Sequence, residues 1–170
     1  MSTLVARMIG SARLDAASYE EVEADHRSTI QAIGVVVASS VAAAIGTGLK
    51  DPGSIIGLTL AAMLSWLLWV LLTLFIGARL MPTSETHSDF GEVLRTTGFS
   101  ASVGLLRVFG LIPGIGPFIF YAVTLWMLFA FVIAIRQALD YTSTLRAFAV
   151  SVLGWIIHGL IFFTFVMAAM

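Results

Sequence analysis

Long apolar runs alternate with short polar breaks along this chain. Four runs are uninterrupted, at about 29–49, 54–78, 118–135 and 145–169. A fifth, at about 95–111, is shorter, rich in small residues, and carries Arg107 near its end. An α-helix rises about 1.5 Å per residue, so about 20 apolar residues cross a hydrocarbon core of about 30 Å. The pattern therefore predicts an all-α polytopic integral membrane protein with five transmembrane helices.

Ahead of the first run, residues 2–14 place Leu4 and Met8 on one helical face with Val5 and Ile9 beside them. Arg7 and Arg13 are then expected near the lipid head groups. This predicts an amphipathic helix lying on the membrane surface. Ser18-Tyr19-Glu20-Glu21 matches a capping box and predicts a second helix from about Tyr19. Residues 1–28 thus read as a cytoplasmic N-terminal segment and 29–170 as the membrane domain.

The breaks have their own chemistry. Lys50-Asp51-Pro52-Gly53 is a tight turn, and Met81 to Ser88 is a polar loop. Asp89 and Glu92 cap a short amphipathic helix with Phe90, Val93 and Leu94 on its apolar side. Pro113 and Pro117, with Gly114 and Gly116, form a rigid turn that ends the third span. Arg136 and Asp140 are spaced to pair on one face, and Thr142 or Ser143 caps the fifth span. In the first span Gly34, Ala38, Ala42 and Gly46 recur every four residues. Small residues let helix backbones approach closely in lipid, so this stripe predicts the packing centre of the bundle.

Composition strengthens the membrane reading: 59% of residues are hydrophobic and 11% charged, against about 25% charged in soluble domains. The absence of cysteine excludes disulfides, iron–sulfur clusters and thiolate metal sites. A net charge of −1 gives no reason to expect nucleic acid. The first 30 residues lack the apolar core of a signal peptide, and Asp15, Glu20, Glu21, Glu23 and Asp25 are wrong for one.

Charge also predicts orientation. With five spans and the N-terminus inside, Arg7, Arg13, Arg27, Arg79, Arg95, Arg136 and Arg146 share the inner side, while Lys50 alone is outside. Positive charge concentrates on the cytoplasmic side of membrane proteins. The expectation is a cytoplasmic N-terminus and an external C-terminus in a bacterial inner membrane.

Two intramembrane residues are candidates for function. An arginine at the bilayer centre costs about 2.5–3.5 kcal/mol on insertion scales, so Arg107 needs a reason to be there. Its long side chain can snorkel to the outer head groups, bond carbonyls freed near Pro113, or contact an anionic lipid or a partner. No span contains an internal Asp or Glu, which weighs against a proton relay. His158 lies mid-span. It is a candidate cofactor ligand, but a hydrogen bond to a neighbouring Ser65 or Thr124 is the simpler expectation. His87, Asp89 and Glu92 sit close in sequence but make a poor metal set. No hydrolase, zinc-protease or phosphate-loop motif is present, so no enzyme, cofactor or metal is expected.

Four stretches together resemble the bacterial branch of the Yip family, the membrane domains named for Ypt/Rab-interacting proteins. They are ARLDAASYEEVEADHRSTIQAIGVVV from Ala12, Val93 to Phe99, Leu111 to Pro117, and Ile135 to Asp140. Their order and spacing carry the match, which runs from about Arg13 to His158. The resemblance implies five spans, a cytoplasmic N-terminus and no catalysis. Val103 stands where members commonly have proline, which predicts a straighter third span. The Asp-Leu-Tyr-Gly-Pro motif of eukaryotic members is missing, so their vesicle-traffic role is not implied.

The functional expectation is a non-enzymatic membrane protein that scaffolds or associates with a larger membrane-protein partner or with a second copy of itself. Arg107 is its candidate lipid or partner contact. Two alternatives stand beside it: lipid or small-molecule transport past Arg107 and His158, and an accessory role in a redox or photosynthetic complex.

Overall fold

The computed structural model describes residues 2–84, 86 and 88–168. Among them the chain is helical throughout, with no strand. The helices are α1 (Leu4–Ala12), α2 (Ala16–Ala24), α3 (Ser28–Gly46), α4 (Pro52–Phe75), α5 (Phe90–Ser100), α6 (Gly116–Ala138) and α7 (Thr144–Ala168). A π turn, Ile76–Leu80, extends α4, and a 3-10 helix, Ala101–Leu111, extends α5. Four helices are long and apolar enough to cross a membrane: α3, α4 with its π turn, α6 and α7. Large apolar side chains stand on the outside of the bundle, Leu64, Phe118 and Leu145 among them, as a lipid solvent requires.

The third apolar run is not a single type of helix. It is eleven residues of α-helix followed by eleven of 3-10 helix, an unusually long 3-10 stretch. The cause is legible at its start. Thr97 donates its hydroxyl to the Val93 carbonyl at 2.6 Å, Ser100 to Thr97 at 2.7 Å, and Ser102 to Phe99 at 2.6 Å. Such back-bonds compete for the carbonyls of the α pattern. The 3-10 form rises about 2.0 Å per residue, so the whole element reaches about 38 Å. Val103, at the position where proline was the point of comparison, is buried inside the 3-10 stretch.

This element runs parallel to α3 along a seam of small residues. A Cβ on Gly98 would meet Ala32, one on Gly104 would meet the Ser39 hydroxyl, and one on Gly46 would meet the Arg107 carbonyl. The seam is therefore Ala32, Ser39 and Gly46, spaced by seven. Of the predicted stripe, Ala42 and Gly46 are buried. Gly34 and Ala38 lie on the exposed side of α3, and a Cβ on Gly34 would meet nothing.

The N-terminal residues form a helical pair fastened to the bundle. Asp15, not Ser18, caps α2: its carboxylate accepts from the Ser18 amide at 3.2 Å and from the Ser18 hydroxyl at 2.7 Å. Glu21 is used elsewhere, paired with Arg7 at 3.1 Å. Arg7 was expected among head groups. It is instead buried, 3% exposed, and also bonds Asp25 at 2.9 Å and the Gln31 amide oxygen at 3.1 Å. Leu4, Val5 and Ile9 remain exposed on α1 while Met8 turns toward the core. Trp126 of α6 donates to the Ala12 carbonyl at 2.8 Å, so α1 lies against the bundle flank.

Other turns follow the sequence. Asp51 caps α4 through the Ser54 amide, with Pro52 in the first turn. Asp89 and Glu92 form a reciprocal capping box on α5. The Ser143 hydroxyl accepts from the Arg146 amide at 3.4 Å. Arg136 does not reach Asp140. Helix α6 ends at Ala138, Asp140 takes a left-handed φ of 52°, and Arg136 donates to the Tyr141 carbonyl at 3.2 Å. The Tyr141 hydroxyl, 2.9 Å from the carbonyls of Gly77 and Met81, holds the π turn. One core cluster, built on Val70, Phe131, Ile135, Leu139 and Val150, lies below this turn. A second gathers Val22, Ala32, Val36 and Phe99.

Candidate ligand pocket inside the bundle

Arg107 turns inward. Its carbonyl packs on Gly46 at the end of α3, and the Phe120 ring fills the space beside Gly46 and Gly110. The guanidinium passes one helical turn beyond Phe120. There Nη2 donates to the Thr124 hydroxyl at 2.9 Å, and Thr124 in turn donates to the Phe120 carbonyl at 2.7 Å. The Arg107 Nε is buried and has no hydrogen-bond partner among the described residues. Thr124 is exposed and lies about 12 Å along α6 from its start, so the Arg107 side chain lies against α6 and reaches a hydroxyl there.

His158 belongs to the same cavity. It is 14 residues into α7, and Ser65 is 13 residues into the antiparallel α4, so each lies about 20 Å from its helix start. The Ser65 hydroxyl and His158 Nε2 are 2.8 Å apart. That is the hydrogen bond expected from the sequence, and it engages the nitrogen a metal or haem would take. Among the described residues no three His, Asp or Glu side chains group as metal ligands; His87 lies outside the described residues.

The cavity holds about 310 Å³ and is bounded by α3, α4, α6, α7 and the 3-10 helix, with Arg107, Thr124, Ser65 and His158 in its wall. This is within the range of small-molecule pockets. Ser39, Ser40 and the aromatic faces of Trp66 and Trp155 complete it. The Trp66 indole N–H is buried without a partner among the described residues. Trp69 shares the wall but is spoken for: its ring stacks on Phe131 at 3.7 Å and its N–H bonds the Ser151 carbonyl at 3.2 Å.

Arg107 Nε and Trp66 Nε1 are closed off by the residues packed around them, so the donors that meet the cavity are the outer guanidinium nitrogens of Arg107, one of which bonds Thr124. The room suits an acceptor, and the fixed positive charge suits an anion. A Ser–His contact is also the geometry of a nucleophile and its base. A third group to orient the imidazole is wanting, since the spans contain no Asp or Glu, and the pair reads as a bridge between α4 and α7.

Sequence reasoning put Arg107 and His158 on one path only in its transport alternative, and it did not find Thr124, Ser39 and Ser40 in the same wall. Ser39-Ser40 in the middle of the first span, and tryptophans at mid-span rather than at its ends, were the available signals.

A second polar region lies at the opposite end of α5. Arg95 is buried and donates through Nε and Nη2 to the Glu23 carbonyl, at 2.9 and 2.6 Å. The Glu23 carboxyl itself is half-buried. Desolvation, then the like charges of Asp140 and Glu92, push its pKa up to about 7 against the pull of Arg95. Glu21 goes the other way, down to about 2, chiefly through bonds from the Ser2 amide and hydroxyl and then from Arg7.

Fold and cavity together define a helical bundle of membrane type with an internal, positively charged pocket. Comparison of the chain with protein-family models, with curated proteins and with solved structures finds no match.

Proposed function

We propose that this chain is a five-span protein of the bacterial cytoplasmic membrane, N-terminus inside and C-terminus outside, that binds a small amphiphilic ligand within the bilayer. The observation that carries the binding role is Arg107: a cation in the wall of a cavity, with one outer donor on Thr124 and no acid beside it among the described residues. Burying a guanidinium is costly unless it is compensated. A bound anion supplies the compensation that the spans, devoid of acids, do not.

The fifth crossing is supported by the seam. The element from Phe90 to Leu111 lies parallel to α3 from Ala32 to Gly46, so it accompanies α3 across whatever α3 crosses. Span number and orientation agree with the resemblance to the Yip family, and that family assignment is part of the proposal. The role is binding or transfer rather than catalysis.

The test is lipid enrichment. Protein solubilised gently and incubated with a total bacterial lipid extract should be recovered with a bound class enriched over the extract. Bound lipid matching the bulk extract in composition contradicts the reading.

A second reading is association with another membrane protein or a second copy through the outer face of α3. Gly34 and Ala38 leave that face smooth, and Ile30 beside them is 81% exposed.

A further inference from the structure

The pocket does not end at His158. A second cleft of about 390 Å³ adjoins it and shares Ser65, Trp155 and His158 with it; Ile156 and Gly159 form its far wall. That wall faces outward. Trp155 and Ile156 are about half exposed, and a Cβ on Gly159 would meet nothing. The Arg107 chamber and a cleft on the lipid-facing side of the α4–α7 pair therefore lie side by side, with the Ser65–His158 bond between them.

We propose that the two cavities form one site for a single-chain amphiphile with a monoanionic head group. The head sits at the Arg107 guanidinium, and the chain leaves for the bilayer between α4 and α7, past Ser65 and His158. This rests on the binding function put forward above and adds the class of ligand and its route.

Three observations select the ligand. First, the chamber offers one fixed charge. One negative charge neutralises it, whereas a dianion leaves an uncompensated charge in a medium of low dielectric. A zwitterion brings a second cation into walls without an acid. Second, the outer guanidinium nitrogens of Arg107, one of them already on the Thr124 hydroxyl, call for acceptor oxygens on the head group. Third, the inner chamber is small. At about 310 Å³ it is at the lower end of ligand pockets, so it takes a head group and the start of a chain. The remainder follows the apolar cleft along Trp155 and Ile156. A carboxylate and a phosphodiester share the required charge, and chain number separates their sources: a free fatty acid has one chain, a phospholipid two.

The tryptophans report binding directly. Stearate brominated at mid-chain is titrated into the full-length protein in nanodiscs of zwitterionic lipid, and quenching is followed. The same titration uses the brominated alcohol of equal length and a brominated diacyl phosphatidylglycerol. Saturable quenching by the acid is expected, with an apparent Kd at least about tenfold below that of the alcohol and of the diacyl lipid. Arg107→Gln should raise the Kd for the acid about tenfold and leave the alcohol unchanged, with Arg107→Lys between. The comparison of acid with alcohol needs no variant, so it stands even if Arg107→Gln folds poorly. Equal saturation by acid and alcohol overturns the head-group assignment while a binding cavity survives. Equal saturation by the diacyl lipid overturns the single-chain claim. Linear, unsaturable quenching by all three overturns the site together with the function it rests on.

Discussion

Gly98 lies so close to α3 that a methyl group on it would stand 2.7 Å from the Ala32 Cβ and 3.1 Å from the Ala32 carbonyl oxygen. That contact is at the N-terminal end of the seam holding the element from Phe90 to Leu111 to α3, and backbone atoms have little room to give. Gly98→Ala should cost about 1–3 kcal/mol through overpacking. Gly34→Ala should be neutral or slightly stabilising, because Gly34 meets nothing and alanine is the better helix former. Thermal melts in detergent compare the two; equal effects would mean that the seam is elsewhere.

Arg7 fastens the N-terminal helices. It bonds Glu21, Asp25 and Gln31; burial opposes its charge, but the bonds and charges of Asp25 and Glu21 together outweigh burial and raise its pKa. Arg7→Met removes them and leaves Asp25, held low chiefly by Arg7, without its partner. The expected loss is about 1.5–3 kcal/mol. It should appear as faster hydrogen exchange across α1 and α2 with α6 unchanged. Uniform acceleration across all helices would contradict a local fastening.

Glu23 gives a pH signature at the same end of the bundle. Its ordinary value of 4.5 rises to about 7 in the fold, through burial first and then Asp140 and Glu92. A carboxyl raised by folding contributes stability that is complete below its unfolded value and is lost as pH rises through its folded one. The melting temperature of Glu23→Gln, relative to the natural chain, should therefore climb between about pH 4.5 and 7 and level off above. Below that window Glu21 acts with the opposite sign: its pKa is depressed, so its contribution is lost as pH falls toward 2. A difference that stays flat from pH 4.5 to 8 would place Glu23 in ordinary solvent.

The natural chain has no cysteine, so orientation can be read with single cysteines. Lys50→Cys and Ile115→Cys should react with an impermeant maleimide on intact cells. Thr83→Cys and Thr142→Cys should react only after permeabilisation. Were the element from Phe90 to Leu111 not to cross, the pattern at Ile115 and Thr142 would reverse.

How much of this was legible in the sequence differs from residue to residue. The four long helices were, because an uninterrupted apolar run states its own length. The Asp89–Glu92 box was, because both partners of the contact are local. Ser18 and Glu21 carried the same local signature, yet Asp15 took the cap and a distant arginine took Glu21. Capping patterns do not register long-range competitors. The packing stripe was read one column away from the seam, since a spacing of four and a spacing of seven both pass through Gly46. Only the partner helix, parallel and close, selects the seven-residue repeat through Ala32 and Ser39. The bond from Arg107 to Thr124 left no trace in sequence, because the choice of partner depends on how the 3-10 helix lies against α6.

The most direct measurement of the central claim is native mass spectrometry of the full chain released from a mild detergent, beside Arg107→Lys and Arg107→Gln. The account predicts one anionic amphiphile retained per chain by the natural protein and by the lysine variant, and none by the glutamine variant. A bare natural chain, or the same adduct on the glutamine variant, would contradict it.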